Sequence, residues 1–375
     1  MPRPPERARP RLHATGAPPR CNAAARQSLS GAPYNAVVNP STTRPYDGLT
    51  PDTVLDAVEA AGFRVDGRQL ALNSYENRVY QVGLDEDGGG PLGDARFLVA
   101  KFYRPNRWSD AQILEEHAFT TDLAGREIPV IAPLAIDGRT LHHHATFRFA
   151  LYPRRGGRAP ELEDPSVLEW MGRFIARIHA VGETQPFVHR PELGIEDFGV
   201  ASRDYLLANG FIPPDLLEAW RGAADLAIEG ARAAFERTPD ASRLRLHGDC
   251  HAGNVLWTPQ GPHFVDFDDA RTGPAVQDLW MLLSGDRESM GAQLRHVLAG
   301  YEDFREFDDR ELRLVEALRT LRLMHYSAWI ARRWDDPAFP MAFPWFNTQR
   351  YWQDRVLELK EQVAAMQEPP IVPAR

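Results

Sequence analysis

Lysine is nearly missing from this chain of 375 residues: of its 43 basic side chains only Lys101 and Lys360 are lysine, and the rest are arginine. Where arginine is the general-purpose cation, a retained lysine points to a place that needs a compact ammonium rather than a planar fork. Lys360 falls in a polar helical stretch and reads as a solvated charge, whereas Lys101 lies in the apolar run Val99-Ala100-Lys101-Phe102. Cysteine is equally scarce. Cys21 and Cys250 are too few and too far apart for a disulfide framework, and suit free thiols in a reducing compartment. No stretch of about 18 apolar residues occurs, which argues against a membrane-spanning helix. The formal charge is −9, yet residues 1–45 carry seven arginines against the single acid Glu6. The remainder is therefore strongly acidic and ill suited to a nucleic-acid face.

What is present suffices for a core. Hydrophobic residues at 43% and charged residues at 25% fit one large or two medium globular domains. Residues 1–45, rich in Pro, Arg, Ala and Ser without a hydrophobic period, read as a disordered extension. Such an Arg-rich, acid-poor segment is also like an organelle transit peptide, but its prolines spoil an amphipathic helix. Order is expected from Thr50-Pro51-Asp52-Thr53, which opens a helix ending at Gly62. A strand–turn–strand follows over 72–82, then a strand over 96–103 and a helix opened by the capping box of Ser109 and Gln112. Further strands are expected at 130–135 and 146–152. Beyond Gly156-Gly157 the period becomes helical, over 167–181, 216–234, 311–334 and 351–366, around a short β island at 244–246, 255–257 and 263–265. This is an α+β pattern in two lobes, a small β-rich one over 46–153 and a larger helical one over 154–375.

The β island carries the chemistry. In His247-Gly248-Asp249-Cys250-His251-Ala252-Gly253-Asn254, Asn254 lies five residues after Asp249, and a hydrophobic strand, a turn and Phe264-Val265-Asp266 follow. A hairpin there brings Asp249, Asn254 and Asp266 to one mouth. Two carboxylates and an amide oxygen without thiolates suit a hard cation such as Mg²⁺ whose shell is completed by nucleotide phosphates. His-x-Asp-x-x-x-x-Asn followed by a metal-binding Asp is the order of a kinase catalytic loop. In that reading Asp249 accepts the proton of the acceptor hydroxyl, and Asn254 and Asp266 hold Mg²⁺. The plainer alternative is an Asx-rich turn. Zinc on His247, Cys250 and His251 lacks a second ligand knuckle, and His142-His143-His144 reads as a polar turn. Cys250 beside Asp249 is disfavoured as a nucleophile.

The small lobe supplies the other half. Lys101 matches the strand lysine that reaches ATP α- and β-phosphates, and the helix after it offers Glu115 and Glu116 as its carboxylate partner. Glu116 is favoured, although sequence leaves the register open. Ser74, in Ser74-Tyr75-Glu76-Asn77-Arg78, occupies the phosphate-loop position without a Gly-x-Gly-x-x-Gly pattern. Asp268 and Asp269 read as turn caps with a second metal as the alternative, and Asp278 as a structural acceptor for catalytic-loop backbone.

Together, Arg245–Asn254, Phe264–Arg271, Asn73–Tyr80, Lys101–Pro105 and Gly273–Leu282 resemble the aminoglycoside-phosphotransferase/choline-kinase-like superfamily, and within it a branch of bacterial Ser/Thr protein kinases. The similarity runs from about Leu49 to Gln362 and omits the N-terminal extension. The resemblance implies a protein-kinase-like fold and a cytoplasmic, monomeric enzyme that phosphorylates protein Ser/Thr under stress, using ATP and Mg²⁺. It also implies Ser74 as an ATP-site residue. A small-molecule hydroxyl kinase and a nucleotide-binding module without turnover are the alternatives.

Overall fold

The computed structural model describes residues 44–86 and 90–374, so the extension expected over 1–45 lies, apart from its last two residues, outside the described residues. Helix α1 (Pro51–Ala60) starts where Thr50 Oγ1 accepts the Thr53 backbone N–H. It lays Val54, Ala57 and Val58 onto a five-stranded antiparallel sheet. The sheet comprises β1 (Val65–Leu72), β2 (Arg78–Leu84), β3 (Phe97–Phe102) and, after α2 (Asp110–Gly125), β4 (His142–His144) and β5 (Phe147–Pro153). Its strand order is β1-β2-β3-β5-β4. Val82, Leu98, Ala100, Phe102, Phe149 and Leu151 form its buried face. The capping box of α2 forms as expected, with Ser109 and Gln112 exchanging side-chain and backbone hydrogen bonds.

Two expectations for this lobe fail. Residues 130–135 do not form a strand: Val130 makes an isolated parallel bridge with Phe264. Pro129 and Pro133 lack the N–H groups a ladder needs. His142–His144 is not a turn but a strand paired with Phe147–Phe149, and the chain reverses at Ala145, whose φ is 51°.

The second lobe contains α3 (Pro165–Gly182), α4 (Ala201–Ala208) and α5 (Leu217–Glu236), then β6 (Leu244–Leu246), β7 (Val255–Thr258), β8 (Gly261–Phe264) and β9 (Arg271–Gly273). It closes with α6 (Val276–Trp280), α7 (Arg287–Tyr301), α8 (Val315–Ala331), α9 (Ala338–Ala342) and α10 (Gln349–Ala365). The expected helix over 311–334 is thus a 3₁₀ turn, Asp309–Leu314, running into α8. Leu168, Met171, Ile175 and Ile178 of α3 pack with Leu294, Val297 and Leu298 of α7, against the underside of the β island. No helix among the described residues is long and apolar enough to cross a membrane.

Candidate active site

Two short pairings assemble the loop. Strands β7 and β8 pair with Val255 opposite Phe264, and the Val265 N–H donates to the Asn254 carbonyl at 3.0 Å. Asn254 and Asp266 therefore leave the same end of one hairpin. Strands β6 and β9 pair with Leu246 opposite Arg271, which sets His247-Gly248-Asp249 beside Asp269-Ala270. The crossing at Gly248 is tight: its φ is +83°, and a Cβ there would stand 2.3 Å from the Asp269 carbonyl oxygen. Only glycine fits. Asp266 is itself held at φ 61°, ψ 60°, a left-handed conformation that non-glycine residues adopt at a cost.

The loop is fastened from below. Asp278, 1% exposed, accepts the His247 N–H through Oδ2 and the Gly248 N–H through Oδ1, both at 2.9 Å. His179 Nε2 reaches the same Oδ2 at 3.1 Å. His247 donates through Nε2 to the Val265 carbonyl at 2.9 Å, a scaffolding role. Cys250 is buried, and burial pushes its thiol well above the ordinary value, so it is no nucleophile.

Asn254 turns its amide nitrogen inward, donating to the Asp249 carbonyl at 3.0 Å, and its Oδ1 receives no hydrogen bond among the described residues. Arg322 Nη1 stands 2.6 Å from Asp249 Oδ1. Burial alone would raise the Asp249 carboxyl, but Arg322 and the His251 hydrogen bond hold it below the usual carboxylate range. From the small lobe, Lys101 Nζ reaches Asp266 Oδ1 at 2.8 Å and Asp268 Oδ1 at 3.3 Å. Burial opposes its charge, yet these two carboxylates hold the ammonium well above its ordinary value.

Of the two helix acids, Glu115 is occupied as a cap, accepting the N–H groups of Val188, His189 and Arg190. Glu116 is 4% exposed and shares a cavity with Lys101. The expected ion pair between them is not made: Lys101 turns to Asp266 and Asp268 instead. Burial, opposed mainly by Lys101, pushes the Glu116 carboxyl up to about 7. Asp268 and Asp269 are more than turn caps: Asp268 pairs with Lys101 and Arg107, and Asp269 with Arg107 and Arg271.

These side chains line two adjoining cavities. One, of about 350 Å³, has apolar walls including Leu72, Val79, Val99 and Leu256 and ends at Lys101, Glu116 and Asp266. The other, of about 390 Å³, is lined by Asp249, Arg107, Arg271 and a stripe of α8. Asn73, Ser74, Asn254 and Asp266 border both. Sequence reasoning did not find Arg107, Arg271, Arg322 or the α8 aromatics; the one signal for Arg107 was its place just past the Lys101 strand.

Residues 68–315 match the phosphotransferase enzyme family. The chain belongs to that family. Over 326 residues it is 47% identical to stress response kinase A of Escherichia coli strain K12, covering 87% of this chain and 96% of that one. It is 44% identical over the same length to the Salmonella typhimurium strain LT2 protein called serine/threonine protein kinase RdoA, with the same coverage. Among solved structures, it superposes on amicoumacin kinase in complex with AMP-PNP, Ca²⁺ and Ami with a TM-score of 0.64. That match is 19% identical and covers 84% of this chain and 94% of the other. A microcompartment-associated aminopropanol kinase follows at a TM-score of 0.60, 18% identical, with 83% and 96% covered. The phosphotransferase thus has the two-lobed kinase-like fold, α+β, with its sheet in the first lobe and most of its helices in the second.

Proposed function

We propose that this phosphotransferase moves the γ-phosphoryl group of ATP, as its Mg²⁺ complex, to Ser/Thr hydroxyls of proteins, in the cytoplasm and under stress. The reading rests on one observation: the apolar-walled cavity below Lys101 and the cavity at Asp249 meet at Ser74, Asn254 and Asp266. Phosphates placed at that junction face Lys101 on one side and the Asp249 carboxylate on the other. The names of the relatives from Escherichia coli and Salmonella support the stress-related protein-kinase assignment.

Residues 46–153 act as the nucleotide-binding lobe in this proposal and 154–375 as the catalytic and substrate-binding lobe. Asn254 Oδ1 and the Asp266 carboxylate would hold the cation, a hard-oxygen donor set that fits Mg²⁺. When bound, the metal neutralises charge on the transferring phosphoryl group. Lys101 contacts the non-transferred phosphates, Glu116 lies in the same cavity without pairing with it and adds only to the field that favours the ammonium, and Ser74 borders the phosphates from the β1–β2 loop. Asp249 orients the acceptor hydroxyl and takes its proton as the new O–P bond forms and ADP leaves. Its depressed carboxyl keeps it an acceptor at neutral pH.

Purified protein with radiolabelled ATP tests this directly, with and without Mg²⁺, against a Ser/Thr protein acceptor and a panel of hydroxyl-bearing metabolites. Label is expected in protein and only with the metal present. Label confined to a small molecule would replace the protein-kinase reading with that of a metabolite kinase.

A further inference from the structure

The cavity at Asp249 has one wall from α8, where Arg322, His325, Tyr326 and Trp329 follow helical spacing on one face. Carboxylates are plentiful in it, but none is left unpaired. Glu76 meets Arg333 Nε at 2.6 Å, and Asp266 meets Lys101 at 2.8 Å. Asp268 meets Arg107 and Lys101, and Asp269 meets Arg107 and Arg271 at 2.8 Å each. Asp249 meets Arg322. Each of these carboxylates thus already faces a cation, although Glu76 Oε1 and Asp249 Oδ1 accept no hydrogen bond among the described residues and the Asp266 side chain is half exposed.

The cations of the cavity differ in how far they are spent. Arg107 divides its two terminal nitrogens between Asp268 and Asp269, and Arg271 gives Nε to the Asp269 carbonyl and Nη2 to its carboxylate. Arg322 is 37% exposed and engages only Nη1; its Nε and Nη2 donate to nothing among the described residues. A guanidinium with one edge unoccupied is a ready bidentate site for a carboxylate. Its other edge touches the residue assigned as proton acceptor, so the anion it receives sits next to the reacting hydroxyl.

We propose that Arg322 sets acceptor specificity by binding a carboxylate beside the reacting hydroxyl, so that the preferred acceptor is a Ser or Thr flanked by Asp or Glu. The assignment rests on the phosphotransferase reading with Asp249 as proton acceptor. A flanking carboxylate gains a charge-assisted pair with Arg322; a flanking amine meets the guanidinium's like charge and must compete for carboxylates that already face arginine or lysine.

Three peptides that differ only in placing Asp, Asn or Lys beside a single Ser test it, each with ATP and Mg²⁺. With the wild-type protein, kcat/KM for the Asp peptide is expected to exceed that for the Asn peptide by about tenfold or more, mostly through KM, with the Lys peptide lowest. Arg322→Gln should bring the Asp and Asn peptides to within about threefold, and Arg322→Lys should retain part of the preference. Equal values for all three peptides on the wild-type protein, or the Lys peptide ahead, overturn the assignment. A parallel arm offers small hydroxy acids and small amino alcohols. Turnover of a hydroxy acid with no peptide labelled supports the role of Arg322 and removes the protein-kinase reading. Turnover of an amino alcohol alone overturns the role of Arg322 and leaves the phosphotransferase intact.

Discussion

Lys101 Nζ stands 2.8 Å from Asp266 Oδ1, an ion pair that joins β3 of the sheet lobe to the start of the turn after β8. The ammonium also lies 3.3 Å from Asp268, whose carboxylate is shared with Arg107. One point charge thus tends a buried acid, Asp268, and a half-exposed one, Asp266. A longer, planar guanidinium at position 101 would not put its charge at the same point between them. Lys101→Arg is expected to lower kcat by about 10²-fold although charge is kept, in line with the loss of one preorganised electrostatic contact. Steady-state kinetics at saturating ATP is the measurement, and wild-type kcat would remove Lys101 from the phosphate site.

Asp249→Asn keeps shape and removes the proposed proton acceptor. Turnover should fall by about 10²- to 10⁴-fold, while nucleotide affinity, read by titration calorimetry, changes little. Unchanged turnover would mean that another group accepts the proton.

Asp278 has no contact with the cavities, yet both its oxygens hold the backbone that presents Asp249. Asp278→Ala leaves two buried N–H groups and His179 without their acceptor. The expected loss is about 3 kcal/mol of unfolding free energy, seen as a lower denaturant midpoint with an unchanged slope. A midpoint equal to wild type would show that water replaces the carboxylate without cost.

Glu116 predicts an unusual pH dependence. Burial raises its carboxyl from 4.5 to about 7, with Lys101 and Arg190 opposing the shift and Asp268 and Asp266 adding to it. Between those values the folded protein binds more protons than the unfolded chain, so this group's contribution falls as pH rises from about 4.5 to about 7. Above that window the penalty is constant, of order 3 kcal/mol. Glu116→Gln should flatten this part of the stability curve; equal slopes for variant and wild type would place the carboxyl in a more polar setting.

The chain's local rules were legible where the signal was local. The Ser109 capping box, the Thr50 cap and the β7–β8 hairpin form from neighbours in sequence, and the hairpin alone brings Asn254 level with Asp266. Helix α7 escaped notice because Gly291 and Gly300 weaken its helical signal. Its reason is tertiary: a Cβ at Gly300 would stand 1.9 Å from the Glu169 carbonyl oxygen of α3. Three histidines in a row have little strand propensity, and pairing with β5 decides β4.

By itself the sequence determined that the oxygen-bearing groups Asp249, Asn254 and Asp266 come together, because they lie within one β island whose short pairings need no distant partner. Only the tertiary structure decided the electrostatics around them. Lys101 chose Asp266 and Asp268 over Glu116, Arg107 crossed the cleft to Asp268 and Asp269, and Arg322 arrived beside Asp249 from a helix far along the chain. Helical periodicity marks which face of α8 is apolar. Which polar side chain then meets a cleft, and with how many donors unspent, follows from how the lobes pack.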